Sequence, residues 1–245
     1  MNLLEVQGLR KTYPAFRLED VSFSAPEGAV MGLIGRNGAG KSTTLKSILG
    51  LVHPDAGRVE MFGREFSENE RYIKENIGVV LGGIDFYPKK KVRTITDVTR
   101  RFYSNWQEEK YRHYLDLFAI DENKRVDQLS SGMRVKYLLA LALSHNARLL
   151  ILDEPTSGLD PVSRDELTEL LRRIAADGTR SVLFSTHITS DLEKCASHIT
   201  FIQEGRLQRS DTLAGFMAHY ADLGSTLEEI IVAAERRPYD ADAII

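Results

Sequence analysis

The stretch AVMGLIGRNGAGKSTTLKSILGL, residues 29–51, decides the fold. It begins with a continuous apolar run over residues 29–34, which is typical of a strand buried on both faces of a sheet. It ends in a helical pattern that stops near Gly50. Between them, residues 35–42 match G-x-x-x-x-G-K-[ST], the phosphate-binding loop or P-loop, in the context that this motif requires. The stretch therefore predicts an α/β domain that binds a nucleotide.

Phosphate binding explains the composition of this loop. Glycines allow backbone N–H groups to turn inward around phosphate oxygens, and the N-terminus of the next helix adds the positive end of its dipole. The motif assigns Lys41 to the β- and γ-phosphates and the hydroxyl of Ser42 to Mg²⁺. A P-loop alone leaves the kind of NTPase open, since kinases, GTPases, motors and transporter subunits all contain one.

A second apolar run, LLILDEP at residues 149–155, ends in two carboxylates. Ligands of open α/β sheets bind at the carboxyl ends of the strands. Asp153 is therefore predicted to orient Mg²⁺ and its waters. Glu154 lies one residue further and points elsewhere, so we expect it to polarise a water that attacks the phosphate.

Composition limits the class of protein. The chain has 245 residues, of which 42% are hydrophobic, and a net charge of −3, so it lacks the basic character of a nucleic-acid-binding domain. The single cysteine, Cys195, excludes an internal disulfide and favours a reducing compartment. The N-terminus lacks the order of a signal peptide, and no apolar run reaches the ~18 residues that span a bilayer. A soluble, cytoplasmic chain is expected.

Further short motifs accompany the P-loop and the acidic pair. They are an aromatic residue at Tyr13, LSSGM at 129–133, SGLD at 157–160 and STH at 185–187. With GRNGAGKST at 35–43 and LLILDEP, these six motifs in this order resemble the nucleotide-binding subunits of ATP-binding cassette (ABC) transporters. Each shorter motif is weak alone, but the ordered set covers nearly the whole chain and is specific.

The resemblance implies a P-loop NTPase of the ABC ATPase fold. Residues 1–80 and 148–220 would form a RecA-like core with an N-terminal antiparallel β-subdomain. Residues 81–147, where helical patterns interrupt the α/β character of the chain, would form an inserted α-helical subdomain that carries LSSGM. Residues 221–245 would form a C-terminal helical tail.

In the family, the LSSGM-like signature of one subunit closes over the ATP held by the P-loop of another. The resemblance therefore places Ser130, Ser131 and Gly132 at the γ-phosphate of a partner's ATP. An ordinary helix N-cap at Ser130 or Ser131 is the alternative, and both readings can hold together. The resemblance also places Asp160 against the partner subunit.

The resemblance also implies contacts between this chain and the nucleotide bound in its own P-loop. Tyr13 would stack on adenine, and His187 would contact the γ-phosphate and sense its loss, although a histidine at a strand end is more often structural. Glu154, His187 and Lys41 form the expected catalytic set, and Ser42 with Asp153 the metal set. The P-loop residues expected to bind nucleotide are Gly35, Arg36, Asn37, Gly38, Ala39, Gly40, Lys41, Ser42 and Thr43.

The sequence departs from the family pattern at two positions. Ser131 replaces the second glycine of the signature, which closure should tolerate unless the position needs a positive φ. Gly82 stands where the family usually has a glutamine that reaches Mg²⁺, and Asp85 is a possible substitute.

Two surface segments have open interpretations. FYPKKKVR, residues 86–93, with Lys89, Lys90, Lys91 and Arg93, is either a solvated face or a contact with the membrane-spanning partner or anionic head groups. Phe102, Tyr103 and Trp106 are expected in the core of the helical block, with a groove for the partner as the alternative.

The expected function is binding and hydrolysis of Mg·ATP at a head-to-tail dimer interface, by two identical or two different subunits. A separate transmembrane permease would use the energy, with export of drugs, peptides or lipids suggested by analogy. The chain would then lie on the inner face of the cell membrane. One rival is a soluble ABC ATPase acting on nucleic acid or ribosomes, which the acidic charge and single cassette disfavour. A monomeric P-loop kinase is another, and it has no use for residues 130–132.

Overall fold

The computed structural model describes residues 1–81 and 87–236. Gly82, Asp85 and Phe86, for which the sequence raised questions, lie outside the described residues. Within these two ranges, every helix is too short or too polar to cross a bilayer.

The strands of the described residues form one ten-stranded sheet in the order β5-β4-β1-β2-β10-β9-β3-β8-β7-β6. The strands are β1 (Asn2–Tyr13), β2 (Phe16–Pro26), β3 (Val30–Ile34), β4 (Ala56–Met61), β5 (Arg64–Glu65), β6 (Ile77–Val80), β7 (Leu149–Asp153), β8 (Ser181–Thr186), β9 (His198–Gln203) and β10 (Arg206–Thr212).

Helices cover both faces of the sheet and form the block between β6 and β7. They are α1 (Lys41–Ile48), α2 (Phe66–Asn76), α3 (Val92–Thr99), α4 (Glu108–Leu117), α5 (Ser131–Ser144), α6 (Pro161–Ala175), α7 (Thr189–Cys195), α8 (Leu213–His219) and α9 (Leu227–Glu235). The helix predicted to follow the P-loop is α1, and the helix predicted in the C-terminal tail is α9.

The sheet has two parts with different strand directions. The part formed by β5, β4, β1 and β2 is antiparallel, whereas β9, β3, β8, β7 and β6 run parallel. All residues of β3, β7 and β8 are buried, as the continuous apolar runs predicted. Ile34 pairs with Thr186 and Asp153 with Ser185, so the carboxyl ends of these three parallel strands lie side by side at the same edge of the sheet.

The helical block has a core of its own. It includes Val92, Ile95, Leu115, Val126 and Leu141. At its centre, the hydroxyl of Thr96 lies 2.7 Å from that of Tyr111 and 2.9 Å from that of Tyr137. These contacts satisfy three polar groups that would otherwise be buried without partners. Burial raises the pKa of Tyr111 to about 12.

Helix α5 belongs to two cores. Leu139, Ala142 and Leu143 pack into the cluster that covers the parallel strands, whereas Tyr137 and Leu141 belong to the core of the helical block. The helix is apolar around most of its surface because both sides are covered. It therefore joins the block to the sheet.

Three features differ from the sequence-based expectations. Strand β10 was not predicted, because its sequence RLQRSDT has no apolar run and it is held by antiparallel pairing with β9. Helix α8 was also not predicted. The expectation that Phe102 lies in a core is wrong, since its side chain is 73% exposed. Tyr103 and Trp106 are half-buried.

Replacing Phe184 by alanine is expected to lower the free energy of unfolding by about 3–5 kcal/mol, because this ring in β8 is completely buried. Denaturant titration of both proteins measures the difference. Leu117→Ala, at a position 61% exposed, is the control and should cost less than about 0.5 kcal/mol. Equal losses in the two variants would contradict the assignment of Phe184 to the main core.

Candidate nucleotide-binding site

The P-loop connects β3 to α1 at the centre of the parallel strands. Gly40 is the N-cap residue of α1 and has a φ of +113°. A Cβ atom at this position would lie 2.9 Å from the ring of Phe16, so both the backbone conformation and the space require glycine. The loop is thereby packed against β2, and the N–H groups at the start of α1 face the edge of the sheet.

Lys41 is held at this edge by three contacts. Its ammonium donates hydrogen bonds to the backbone oxygens of Gly35 at 2.8 Å and Arg36 at 3.3 Å. It also lies 3.2 Å from Oε1 of Glu154. The side chain is 5% exposed, which concentrates its charge at the site. An entering phosphate would meet this ammonium group directly.

Asp153 lies beside Ser42, as the sequence predicts for a magnesium site. The Ser42 hydroxyl donates to Oδ1 of Asp153 at 3.1 Å, and the Ser185 hydroxyl donates to the same oxygen at 2.6 Å. A hydroxyl and a carboxylate are oxygen donors of the kind Mg²⁺ takes, with phosphate oxygens and waters completing its octahedron. The residues present therefore fit this metal.

Glu154 joins Lys41 to His187. Its Oε1 faces the lysine, and its Oε2 lies 2.8 Å from Nδ1 of His187. The backbone of Glu154 has a φ of +50°, in the left-handed region. This strain at a non-glycine residue is typical of functional sites. Its N–H donates to the hydroxyl of Ser185 at 2.9 Å.

The structure thus brings Lys41, Ser42, Asp153, Glu154 and His187 together. Ser185 is a site residue that the sequence analysis quoted only as part of STH. Its hydroxyl contacts both acidic residues of the neighbouring strand. The available signal was a polar residue at the end of an apolar strand, at the position that pairs with Asp153.

Tyr13 lies on the hairpin between β1 and β2, where it pairs with Phe16. Its ring is 39% exposed, and the ammonium of Lys11 lies 5.7 Å from the ring centroid. Because Phe16 also packs against Gly40, the hairpin places an exposed aromatic ring near the P-loop.

The signature residues form the N-terminus of α5. The hydroxyl of Ser130 accepts a hydrogen bond from the N–H of Met133 at 3.2 Å, which is the N-cap contact. Ser131 is the first residue of α5 and has a helical backbone, so serine replaces glycine there without strain. The position of a Cβ on Gly132 would lie 3.3 Å from the hydroxyl of Ser163, a tight approach that favours glycine.

Asp160 is the N-cap residue of α6, as predicted. It accepts hydrogen bonds from the N–H groups of Val162 and Ser163, both at 3.0 Å. Hydrogen bonds from Ser163 hold the pKa of this carboxyl below its usual value. Ser131 lies 3.4 Å from the backbone oxygen of Gly158, so the signature and this segment are in contact within one chain.

Comparison with known proteins agrees with this geometry. Residues 18–157, more than half of the chain, match the sequence model of the ABC transporter family. The chain belongs to the ABC transporter family. It has the ABC ATPase fold and is an ATP-binding subunit that hydrolyses ATP, as its sequence predicted.

Curated relatives are transporter subunits. The Bacitracin transport ATP-binding protein BcrA of Bacillus licheniformis is 32% identical over 208 residues, which are 84% of this chain and 68% of the relative. The Nod factor export ATP-binding protein I of Burkholderia orbicola is 38% identical over 191 residues, or 76% of this chain and 62% of the relative. The chain therefore spans about two thirds of these relatives. They support the transporter prediction and not a soluble ATPase acting on nucleic acid or ribosomes.

A solved structure described as the ATP binding subunit of an ABC transporter has the same fold. It superposes with a TM-score of 0.84 at 28% identity and covers 96% of this chain and 100% of that chain.

Ser185→Ala is expected to lower kcat about ten- to a hundredfold with little change in KM, since this hydroxyl orients Asp153 and the backbone of Glu154. Steady-state ATP hydrolysis measures both constants. Ser190→Ala, at an exposed position of α7, is the matched control. Equal rates for the two variants would show that the orientation of Asp153 does not depend on Ser185.

Proposed function

We propose that the chain binds Mg·ATP with its P-loop against the signature of a second subunit, hydrolyses it there, and powers export through a separate permease. One observation carries this proposal. Glu154 lies between the ammonium of Lys41 and the imidazole of His187, next to Asp153, at the edge where the P-loop ends. A carboxylate in this position can polarise water beside a phosphate that Lys41 binds.

Each residue has a role in this proposal. Mg²⁺, when bound, would be held by Ser42 and Asp153 and would neutralise charge on the phosphate oxygens. Lys41 exchanges its contact with Glu154 for the β- and γ-phosphates. Glu154 is then free to accept a hydrogen bond from the attacking water, while His187 keeps the carboxylate oriented through its Nδ1 contact. Tyr13 offers a ring face to adenine.

The exposed N-terminus of α5 supports a composite site. Ser130 and Ser131 are exposed, and the 14-residue helix behind them directs its N–H groups and dipole toward an anion. A second subunit, packed head to tail, would bring its P-loop triphosphate to this end. Asp160, at the exposed start of α6, would lie at the same interface.

Mixing two inactive variants tests the composite site. Lys41→Ala removes the phosphate-binding ammonium, and Ser130→Arg fills the signature with a bulky side chain. Each variant alone is expected to lose hydrolysis. An equimolar mixture should recover up to about a quarter of the wild-type rate, because half of the dimers contain one intact site out of two.

Two measurements distinguish the rival functions. Wild-type activity per chain should rise with protein concentration, and Ser130→Arg should still bind ATP. A monomeric kinase would keep its activity in Ser130→Arg, show no dependence on concentration and gain nothing from mixing. That result would overturn the dimer mechanism.

A groove on the helical block supports docking of a permease. It has a volume of about 250 Å³ and lies between the end of β6, the end of α3 and the last turns of α5. The rings of Tyr103 and His145 stack along its wall with their centroids 3.7 Å apart. Burial lowers the pKa of His145 to about 4, so this imidazole is uncharged at neutral pH. Its lining residues are Val79, Leu81, Thr99, Tyr103, Leu138, Leu141, Ala142 and His145.

Two exposed apolar residues directly precede lining residues of this groove in the sequence, Val98 before Thr99 and Phe102 before Tyr103. Phe102 is 73% exposed and Val98 is 53% exposed. We therefore favour the alternative reading of this region, a docking surface for a cytoplasmic helix of the permease. Lys89, Lys90, Lys91 and Arg93 are exposed as well and are proposed to meet the permease or anionic head groups.

Phe102→Asp is expected to reduce co-purification with the co-expressed cognate permease at least about tenfold, because a carboxylate replaces the apolar contact. Hydrolysis by the isolated chain should be unchanged. Leu51→Asp, at a position 57% exposed elsewhere on the surface, is the control. Normal capture of Phe102→Asp would exclude Phe102 from the docking surface.

Export and location follow from the same proposal. Relatives named for bacitracin transport and Nod factor export support an exporter. We propose that the chain lies on the inner face of the membrane, bound through its permease, and has no nucleic-acid partner. We also propose the division into residues 1–80 with 148–220, 81–147 and 221–245. The separate core of the helical block supports it.

A further inference from the structure

The last residue of α9, Glu235, places its carboxylate against the P-loop. Its side chain is 6% exposed. Oε1 accepts a hydrogen bond from the N–H of Arg36 at 3.1 Å, and Oε2 lies 3.7 Å from Nε of Arg36. Both oxygens therefore engage the second residue of the P-loop. Neither the P-loop motif nor the roles assigned to the other site residues includes this contact.

Helix α9 is fixed firmly enough to serve as an anchor for the loop. At its start, Thr226 and Glu229 form a capping box, and the N–H of Leu227 donates to Glu193 of α7 at 2.7 Å. Leu227 and Ile230 are completely buried in the apolar cluster that covers the parallel strands. Near its end, the side chain of Gln203 donates to the backbone oxygen of Ala234 at 3.2 Å.

The other hydrogen bonds at the start of the P-loop are made to its backbone oxygens, as when Lys41 donates to those of Gly35 and Arg36. A cavity of about 280 Å³ lies between residues 36–39 of the loop, the end of β9 and Glu235. Atoms beside a cavity lack packing partners, so they restrain the backbone weakly. The hydrogen bond to Glu235 is therefore the main restraint that the structure shows on the N–H of Arg36.

A carboxylate is a costly choice for this position. Burial raises the pKa of Glu235, and its contacts with Arg36 and the charge of Lys41 act in the opposite direction. The C-terminal end of a helix also disfavours negative charge. Core stability alone would favour an apolar residue here. The loss of stability from burying this carboxylate is explained if its oxygen is needed as a hydrogen-bond acceptor for the P-loop.

We propose that Glu235 is a positioning residue for the P-loop. By accepting the N–H of Arg36, it holds the start of the loop in the conformation that receives phosphate. Helix α9 thereby becomes part of the nucleotide site. The inference rests on the proposed nucleotide-binding role of the P-loop residues.

Two substitutions separate the hydrogen bond from the charge. Glu235→Ala removes the acceptor and is expected to raise both the Kd and the KM for ATP about three- to tenfold, the loss of one buried hydrogen bond, with kcat changed less than about twofold. Glu235→Gln keeps an acceptor oxygen and should return Kd to within about twofold of wild type. Glu228→Ala, at an exposed position of the same helix, is the matched control.

Calorimetric titration with ATP in EDTA measures Kd without hydrolysis, and thermal melting of each variant reports its stability. A normal Kd for Glu235→Ala, with or without a lower Tm, would overturn the inference. So would a Glu235→Gln variant that is as weak as Glu235→Ala. If wild-type protein fails to bind ATP, the proposed function itself fails, and the variants are then not needed to decide it.

Discussion

The parallel pairing of β3, β8 and β7 is the constraint on which the site depends. Because Ile34 pairs with Thr186 and Asp153 with Ser185, the P-loop, the acidic pair and His187 all leave the sheet at one edge. A slip of one residue in either register would turn the side chains of that strand to the opposite face. The fit of individual side chains opposes such a slip, since Gly32 of β3 leaves the space that Leu192 fills, so core packing fixes the distances between the site residues.

The site is satisfied internally before any phosphate arrives. Lys41 is neutralised by Glu154 and bonded to the loop's own oxygens, and Ser42 and Ser185 share one oxygen of Asp153. Desolvated charges are tolerated at this edge because each has a partner. In the proposed mechanism, a triphosphate exchanges these contacts for its own, and Lys41 thereby releases Glu154. Binding and preparation of the carboxylate for catalysis are therefore coupled.

Much of this could be read from the sequence, and the rest could not, for identifiable reasons. β3 and β7 are continuous apolar runs that end in chemically informative residues, so strand, loop and site appear in one stretch. β10 is polar and exists only because β9 offers its edge. Phe102 lies in the segment where helical patterns predict a packed block, yet its side chain is 73% exposed. The contacts of Ser185 and Glu235 join positions 32 and 199 residues apart, which local patterns do not record.

Helix α5 has a mechanical consequence because its two ends have different surroundings. Its C-terminal half packs between the sheet and the helical block, while its N-terminal tip, with Ser130 and Ser131 exposed, lies against the segment of Gly158 and Ser163. At 14 residues the helix is about 21 Å long, so a tilt of only about 10° around the wedged half would carry the tip through roughly 3 Å. It is a lever whose fulcrum lies in the core. Small adjustments where α5 touches β6 are thus magnified at the signature.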